Sequence, residues 1–454
     1  MDLEHPAIDT AFIADALDRS DAEGLLGALK GLHPADIADR IEPLDEDRKR
    51  RVFGLLDPET AADVLVELND PSREEILEET STTRLAEIAE EMESDEAADL
   101  LAELPRETAA QVLRQMGHEE VEEITELMAY GPETAGGIMQ RELLGVREDA
   151  TVAQAVEAFQ KLAREEDVED IHNVFVVDRD RRLVGVLPIR RLLLVGASTP
   201  IGRVMDPDVV KVRPEVDQEE VAALFKKYNL LSMAVVDDAD HLVGRITVDD
   251  IVDVIAEESG EDILLLGGVH EEDRIFCPPA QSVRKRLPWL AINLGTAILA
   301  AGVVSLFERT LERMVTLAVF MPVVAGLGGN AGTQTLTLIT RGIALGEISF
   351  ANAWRALVKE SLVALVNGTA IGIVMAVGTY AWKGDLMLGV VLGLALIINM
   401  FVAGVVGTVI PVVLKRVGVD PAVASGIIVT AFTDSCGFFT FLGLATLALR
   451  TFHL

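Results

Sequence analysis

The chain of 454 residues has little cysteine and little lysine: two cysteines, Cys277 and Cys436, and ten lysines against 29 arginines. Two thiols exclude a disulfide framework and a four-cysteine metal site. No histidine, Ser–His pair or carboxylate pair falls within the long apolar runs of the second half, which argues against a hydrolase built inside a membrane. Met1 to Ser20 is acidic and lacks the apolar core of a cleavable secretory signal, so the front of the chain is expected to stay in the cytosol. Basic charge is what that front lacks most. Through Val283 there are 27 basic and 67 acidic residues; from Arg284 onward there are 12 and 7. An acidic soluble body therefore precedes a membrane body, and the balance excludes a nucleic-acid partner. Acidic, lysine-poor surfaces also suit salt-adapted organisms, so about half of the acids read as solvated face. Glu74, Glu75, Glu78 and Glu79 look like such a run.

Five apolar segments follow, near 288–307, 314–340, 361–381, 386–414 and 421–449. Each reaches the roughly 20 residues that a hydrocarbon core requires. With a cytosolic N-terminus, Arg284, Lys285, Arg286, Arg341, Arg355, Lys359, Lys415 and Arg416 fall inside, against Arg309, Arg313, Lys383 and Arg450 outside. That is the expected positive-inside bias. The protein is thus expected to be multi-pass in the cell membrane, in contact with lipid.

Asp434 is the one ionisable residue of the last segment before Arg450. A charge at mid-membrane costs roughly 2.5–3.5 kcal/mol on insertion scales and usually marks an ion path. The alternative is a protonated or paired acid that staples helices. The second segment carries Pro322 and then Gly326, Gly328, Gly329, Asn330, Gly332, Thr333 and Gln334, a composition that predicts a broken or a closely packed helix. Thr430 lies four residues before Asp434, on the same helix face, and Gly426 one turn earlier. Asn399 is a further candidate, although a single asparagine more often bridges helices. One carboxylate per chain is too little for a selective divalent site. A two-fold axis would supply a second Asp434, and two-fold homodimers are the commonest assembly. Oxygen ligands suit Mg²⁺, Ca²⁺ or Mn²⁺, and two carboxylates with amide and hydroxyl oxygens suit a hydrated Mg²⁺.

The soluble part contains a repeat. Val174 to Val186 reappears as Met233 to Arg245, with Val176 and Gly185 matching Val235 and Gly244 at an offset of 59. Ile138-Met139 and Val204-Met205 open the copies, and Ala163 to Asp170 is the expected insertion in the first. Each copy reads strand, turn, strand, helix, and the tandem resembles a cystathionine-β-synthase (CBS) pair, a ligand-sensing module. Some such pairs hold the ribose of an adenine nucleotide with Ser/Thr followed three residues later by Asp. Thr247 and Asp250 match; Leu187 to Arg190 of the first copy do not, so at most one ATP-type site is implied. The alternative is a capped helix start, which needs only Thr247 and the acids that follow it. Upstream, residues 10–130 read as short acidic-apolar helices punctuated by Pro34, Pro58 and Pro105, which must stack to bury their stripes. Asp249 to Leu266 reads as a helix leading to the membrane.

This order, with Pro322 to Gln334, Thr247-Val-Asp-Asp250, Glu261-Asp-Ile and Asp420-Pro…Thr433-Asp434, resembles the MgtE family of magnesium channels and transporters over essentially the whole chain. The implied fold is a multidomain α+β membrane protein. It has an all-α superhelical N-terminal domain (1–130), a CBS pair of α/β folds (131–200 and 201–255), a connecting helix (256–283) and a five-helix transmembrane domain (284–454). The implied function is a homodimeric Mg²⁺ channel of the bacterial inner membrane, with Asp434, Asn330, Thr430 and Gly426 lining the pore. Carrier action, such as Mg²⁺/Na⁺ exchange, or a broader range including Mn²⁺ and Co²⁺, are the alternatives. The resemblance also implies closure by cytosolic Mg²⁺ at Asp217, Asp250, Glu261, Asp262 and Asp420, with Asp95 a weaker match. Ile427 departs from the family, whose members often carry proline after the position of Gly426, so the place of any break in the fifth helix stays open. Divalent cations would offset the repulsion among close carboxylates, which acts over about 8 Å at physiological salt. Neutralising Asp250 and Glu261 together is expected to weaken closure by cytosolic Mg²⁺; patch currents still fully inhibited in that double variant would contradict it.

Overall fold

The computed structural model describes residues 8–165, 171–270, 273, 275 and 278–451. Cys277 and residues 166–170 of the expected insertion lie outside them. The chain divides into two compact units, Met1–Ala256 and Glu257–Leu454.

Among the described residues, Thr10 to Leu127 fold into ten helices of eight to ten residues, α1 to α10. Proline starts rather than breaks them. Pro34 opens α3 (Pro34–Ile41), Pro58 opens α5 (Pro58–Glu67), and Pro105 precedes α9 (Arg106–Leu113). The first-turn N–H has no intrahelical partner, so proline loses nothing there. Asp57 caps α5 by accepting from Thr60 N at 3.0 Å. The apolar stripes meet in one core that includes Leu85, Ile88 and Leu101 and runs on to Met233, Val235 and Ile246 of the second CBS copy. The glutamate run at 74–79 is not merely solvated face. Buried Lys49 donates to Glu75 at 2.8 Å, and Arg50 pairs with Glu79 at 3.0 Å.

The two repeats form two three-stranded sheets, β1-β2-β3 and β4-β5-β6. The first holds β1 (Gly145–Arg147), β2 (Asn173–Val177) and β3 (Leu183–Pro188); the second holds β4 (Lys211–Val212), β5 (Ser232–Val236) and β6 (Leu242–Thr247). In each, the first pair is parallel and the second antiparallel. Val176 pairs with Gly185 and Val235 with Gly244, so the sequence repeat is also a register repeat. The glycines clear space for methionine. A Cβ on Gly185 would lie 2.4 Å from Met205 Sδ, and one on Gly244 would lie 2.7 Å from Met139 Sδ. The methionine that opens each copy therefore packs on the sheet of the other, and backbone bridges Val186–Asp206 and Gln140–Arg245 follow the same exchange. The helix closing the first copy, α12 (Ile189–Leu192), has four residues; its counterpart, α14 (Val248–Leu266), has 19 and runs straight through the boundary expected at residue 255.

Five helices among the described residues are long and apolar enough to cross a membrane. They are α15 (Pro279–Ser305), α17 (Thr316–Ala344), α18 (Ala353–Lys383), α19 (Leu386–Arg416) and α20 (Pro421–Thr451), with the short α16 (Glu308–Arg313) after the first. They match the expected spans but extend further at several ends. The glycine-rich second span is not broken: α17 is continuous through Pro322, and α20 is continuous past Ile427. Among the described residues, a Cβ on Gly326 or Gly329 would meet nothing within 4 Å, whereas Gly328 and Gly332 serve close packing: a Cβ on Gly332 would lie 2.6 Å from Val429 and one on Gly328 would lie 2.1 Å from Asn399. Gly372 and Gly393 do the same between α18 and α19, each Cβ position falling within 2.8 Å of the other's carbonyl oxygen. Replacing Gly393 with valine is expected to destabilise the helix pair by about 1–3 kcal/mol, the usual cost of overpacking. The thermal midpoint of detergent-solubilised protein measures it.

Candidate cation sites

Two helix N-termini face each other in the first unit. The N-terminus of α8 (Ser94–Glu103) carries Glu93, Asp95 and Glu96; that of α14 carries Asp249 and Asp250. Acids belong there by local preference, because unpaired N–H groups at a helix start attract negative charge. Ser94 is held by Glu142, which accepts from its N at 3.1 Å and its Oγ at 2.8 Å. Buried Gln140 bridges the two helices, donating to Glu93 and, at 3.3 Å, to Asp250. Asp250 also accepts from Thr247 Oγ1 at 2.6 Å and Thr247 N at 3.2 Å, which is the capped helix start.

Burial raises every one of these carboxyls that shifts. Burial, then the charges of Glu96 and Glu142, push Glu93 up to about 8. Burial pushes Glu96 up to about 7 and Asp250 up to about 6. Asp95, 6% exposed, is held well above the usual carboxylate range by burial and by Asp250. One buried cation, Arg245, opposes this at both Glu93 and Asp250. The cluster thus has oxygen donors, burial and more carboxyls than Arg245 alone can hold ionised, a donor set that fits a hard divalent cation. Among the described residues, no three His, Cys, Asp or Glu side chains already stand close enough to hold a metal, so binding would draw the carboxylates inward.

Asp250 and Asp95, expected separately, are brought together here. Glu93, Glu96, Asp249, Gln140 and Arg245 were missed, although Glu93 and Glu96 flank Asp95 and Asp249 adjoins Asp250. Asp217 does not join them: it is exposed and caps α13 (Gln218–Tyr228), accepting from Glu219 N at 2.8 Å.

In the second unit, burial and the charge of Asp420 raise the Asp262 carboxyl. Asp420 caps the start of α20 by accepting from Ala422 N at 2.9 Å. Half-buried Glu261 precedes Asp262 on α14. On α20, Gly426, Thr430 and Asp434 occupy successive turns. Thr430 Oγ1 donates to Gly426 O at 2.9 Å, so these two candidates are bonded to each other. Asp434 is half-buried and has no hydrogen-bond or ion-pair partner among the described residues. Asn330 is exposed on α17.

Five apolar helices following a CBS pair and an acidic helical array define a multi-pass membrane protein whose N-terminal domains fit a cytosolic placement. Family models agree. Residues 321–444 match the MgtE divalent cation transporter model, 32–133 the MgtE intracellular N domain, and 135–197 and 201–257 CBS domains. The chain is 35% identical to the magnesium transporter MgtE of Thermus thermophilus over 96% of its own length and 98% of the relative's. It is 36% identical to that of Enterococcus faecalis, covering 73% and 72%. The cytosolic domain of the Mg²⁺ channel MgtE in complex with ATP superposes with a TM-score of 0.51 at 33% identity, covering 54% of this chain and 99% of that one. The chain belongs to the MgtE family.

The raised carboxyls set a pH dependence. Below the ordinary carboxylate range, about pH 4, the acids are protonated whether the α8–α14 contact is made or broken, and they do not oppose it. As pH rises toward about 8, the folded value at Glu93, deprotonation increasingly opposes the contact. A cation that binds the deprotonated form gains affinity over the same range. Mg²⁺ is therefore expected to raise the thermal midpoint and protease resistance of the first unit more at pH about 8 than at about 6. Equal increments would contradict the assignment.

Proposed function

We propose that the protein is a Mg²⁺ channel for uptake across the cell membrane, built as a homodimer and closed by cytosolic Mg²⁺. Asp434 carries this reading. A partnerless carboxylate in the middle of a membrane span is costly, and a passing cation would offset that cost. Exposed Asn330 and Thr430 add neutral oxygens. A second copy supplies the second Asp434, and the pair would hold Mg²⁺ with much of its hydration intact, since this ion dehydrates reluctantly.

The gate reads as a metal-stabilised closed state. Cytosolic Mg²⁺ among Glu93, Asp95, Glu96 and Asp250, and a second ion at Asp262 and Asp420 with Glu261 adjoining, would screen carboxylates that otherwise repel. Occupancy then favours the packed arrangement by mass action. At low cytosolic Mg²⁺ the repulsion returns and the pore opens. Asp217 enters this scheme only as an outlying acid. An adenine nucleotide, bound by the relative that superposes on this region, would use Thr247 and Asp250. The first copy has Leu187 to Arg190 at the matching positions, so at most one such site is implied.

In a strain lacking its own Mg²⁺ uptake, wild type is expected to restore growth at low Mg²⁺ and Asp434→Ala to fail at equal membrane abundance. Full rescue by the variant would end this reading. Unitary current steps from reconstituted protein separate the channel from a Mg²⁺/Na⁺ exchanger, which shows none.

A further inference from the structure

One fully buried polar side chain of the membrane unit is not among the proposed pore residues. Asn399, on α19, has no solvent-exposed surface. Its Nδ2 donates to Val324 O on α17 at 3.0 Å, while its Oδ1 has no hydrogen-bond partner. Two glycines make the room it fills. A Cβ on Gly328 of α17 would lie 2.1 Å from Asn399 Nδ2, and one on Gly437 of α20 would lie 2.6 Å from it. The carboxamide therefore stands where both glycines withhold a side chain, and those glycines belong to the two helices that carry Asn330 and Asp434.

The position relative to those residues is specific. Two residues along a helix turn the chain by about 200°, so Gly328 and Asn330 lie on nearly opposite faces of α17. Asn399 presses on the back of the helix whose exposed side presents Asn330. Gly437 is three residues beyond Asp434, less than one turn further along α20. A simple staple between helices would be better served by a fully satisfied amide or by an apolar side chain, because an unpaired buried acceptor is costly. What asparagine adds is a flat wedge of fixed thickness, oriented by its bond to Val324 O. Neighbouring contacts leave little slack: Gly332 O of α17 lies 2.9 Å from the Cβ position of Gly407 on α19.

We propose that Asn399 is a positioning residue for transport: pressing on the back of α17 and, at Gly437, close to the Asp434 face of α20, it sets the spacing of the two helices and through that spacing the choice among divalent cations. This rests on the reading that these two helices line the conduit.

The test uses the full-length protein in liposomes, with uptake of Mg²⁺, Mn²⁺ and Ca²⁺ measured per inserted molecule. Asn399→Ser thins the wedge and is expected to change the Mg²⁺:Ca²⁺ uptake ratio about tenfold, the scale of coupling between residues in contact. Gly328→Ala alone overfills the site and is expected to depress Mg²⁺ uptake. In the Gly328→Ala/Asn399→Ser pair the added methyl takes space that the amide vacated, and uptake should recover. If Asn399→Ser does not insert, Gly437→Ala carries the test and must also shift the ratio. An unchanged ratio in the inserted variant, or no recovery in the pair, would reduce Asn399 to a helix staple and overturn the proposal. Asp434→Asn is run alongside. Wild-type Mg²⁺ uptake in that variant would sink the conduit reading itself, whereas blocked uptake there with a normal ratio in Asn399→Ser sinks only the role of Asn399.

Discussion

Carboxylates forced together at the starts of α8 and α14 govern the first unit. Each acid is favourable where it stands locally, since a helix start attracts negative charge. Packing the helical array on the second CBS copy buries Met233, Val235 and Ile246 in a shared core, and the same packing presses Glu93, Asp95, Glu96 and Asp250 against one another. The apolar gain and the electrostatic cost come from one contact. Arg245 and Gln140 offset part of the cost, and the raised carboxyls record what is left. A contact balanced in this way would be opposed as its carboxyls deprotonate, whereas one satisfied by ordinary ion pairs would titrate only in the acid range.

The membrane unit solves a different problem. Lipid offers no hydrophobic drive between helices, so backbone proximity and buried polar atoms hold them together. Gly372 against Gly393 and Gly332 against Val429 bring helices to distances that any side chain would prevent. Around Asn399 the close approach is filled by an amide from a third helix. Three helices are thereby locked at one level, while the faces bearing Asn330 and Thr430 are left uncovered within one chain. Rigid backing and an open face suit a site completed by a second copy.

Much of this was legible in advance. The five spans, the repeat and the solitary Asp434 follow from composition and spacing, and the register of Val176–Gly185 and Val235–Gly244 was already visible as an offset of 59. The glycine-rich stretch of the second span was legible only as a choice between breaking and packing, because glycine permits both. Partners on neighbouring helices decided for packing at Gly328 and Gly332. Of the proposed gating acids, Asp95 and Asp250 lie 155 residues apart, and no local pattern joins them. Their neighbours Glu93, Glu96 and Asp249 looked like ordinary first-turn acids, which is also what they are.

Sequence by itself determined the division into an acidic body and an apolar one, because charge and hydropathy are summed along the chain and need no folding to be counted. It determined the helix starts as well, since a proline or a capping acid acts within one turn. Only tertiary structure decided which distant pieces meet. Met139 packs on the sheet of the second CBS copy and Met205 on that of the first. Gln140 spans two acidic helix ends, and Asn399 enters the gap left by two glycines on other helices. Such contacts depend on shapes that exist only once the backbones have come together.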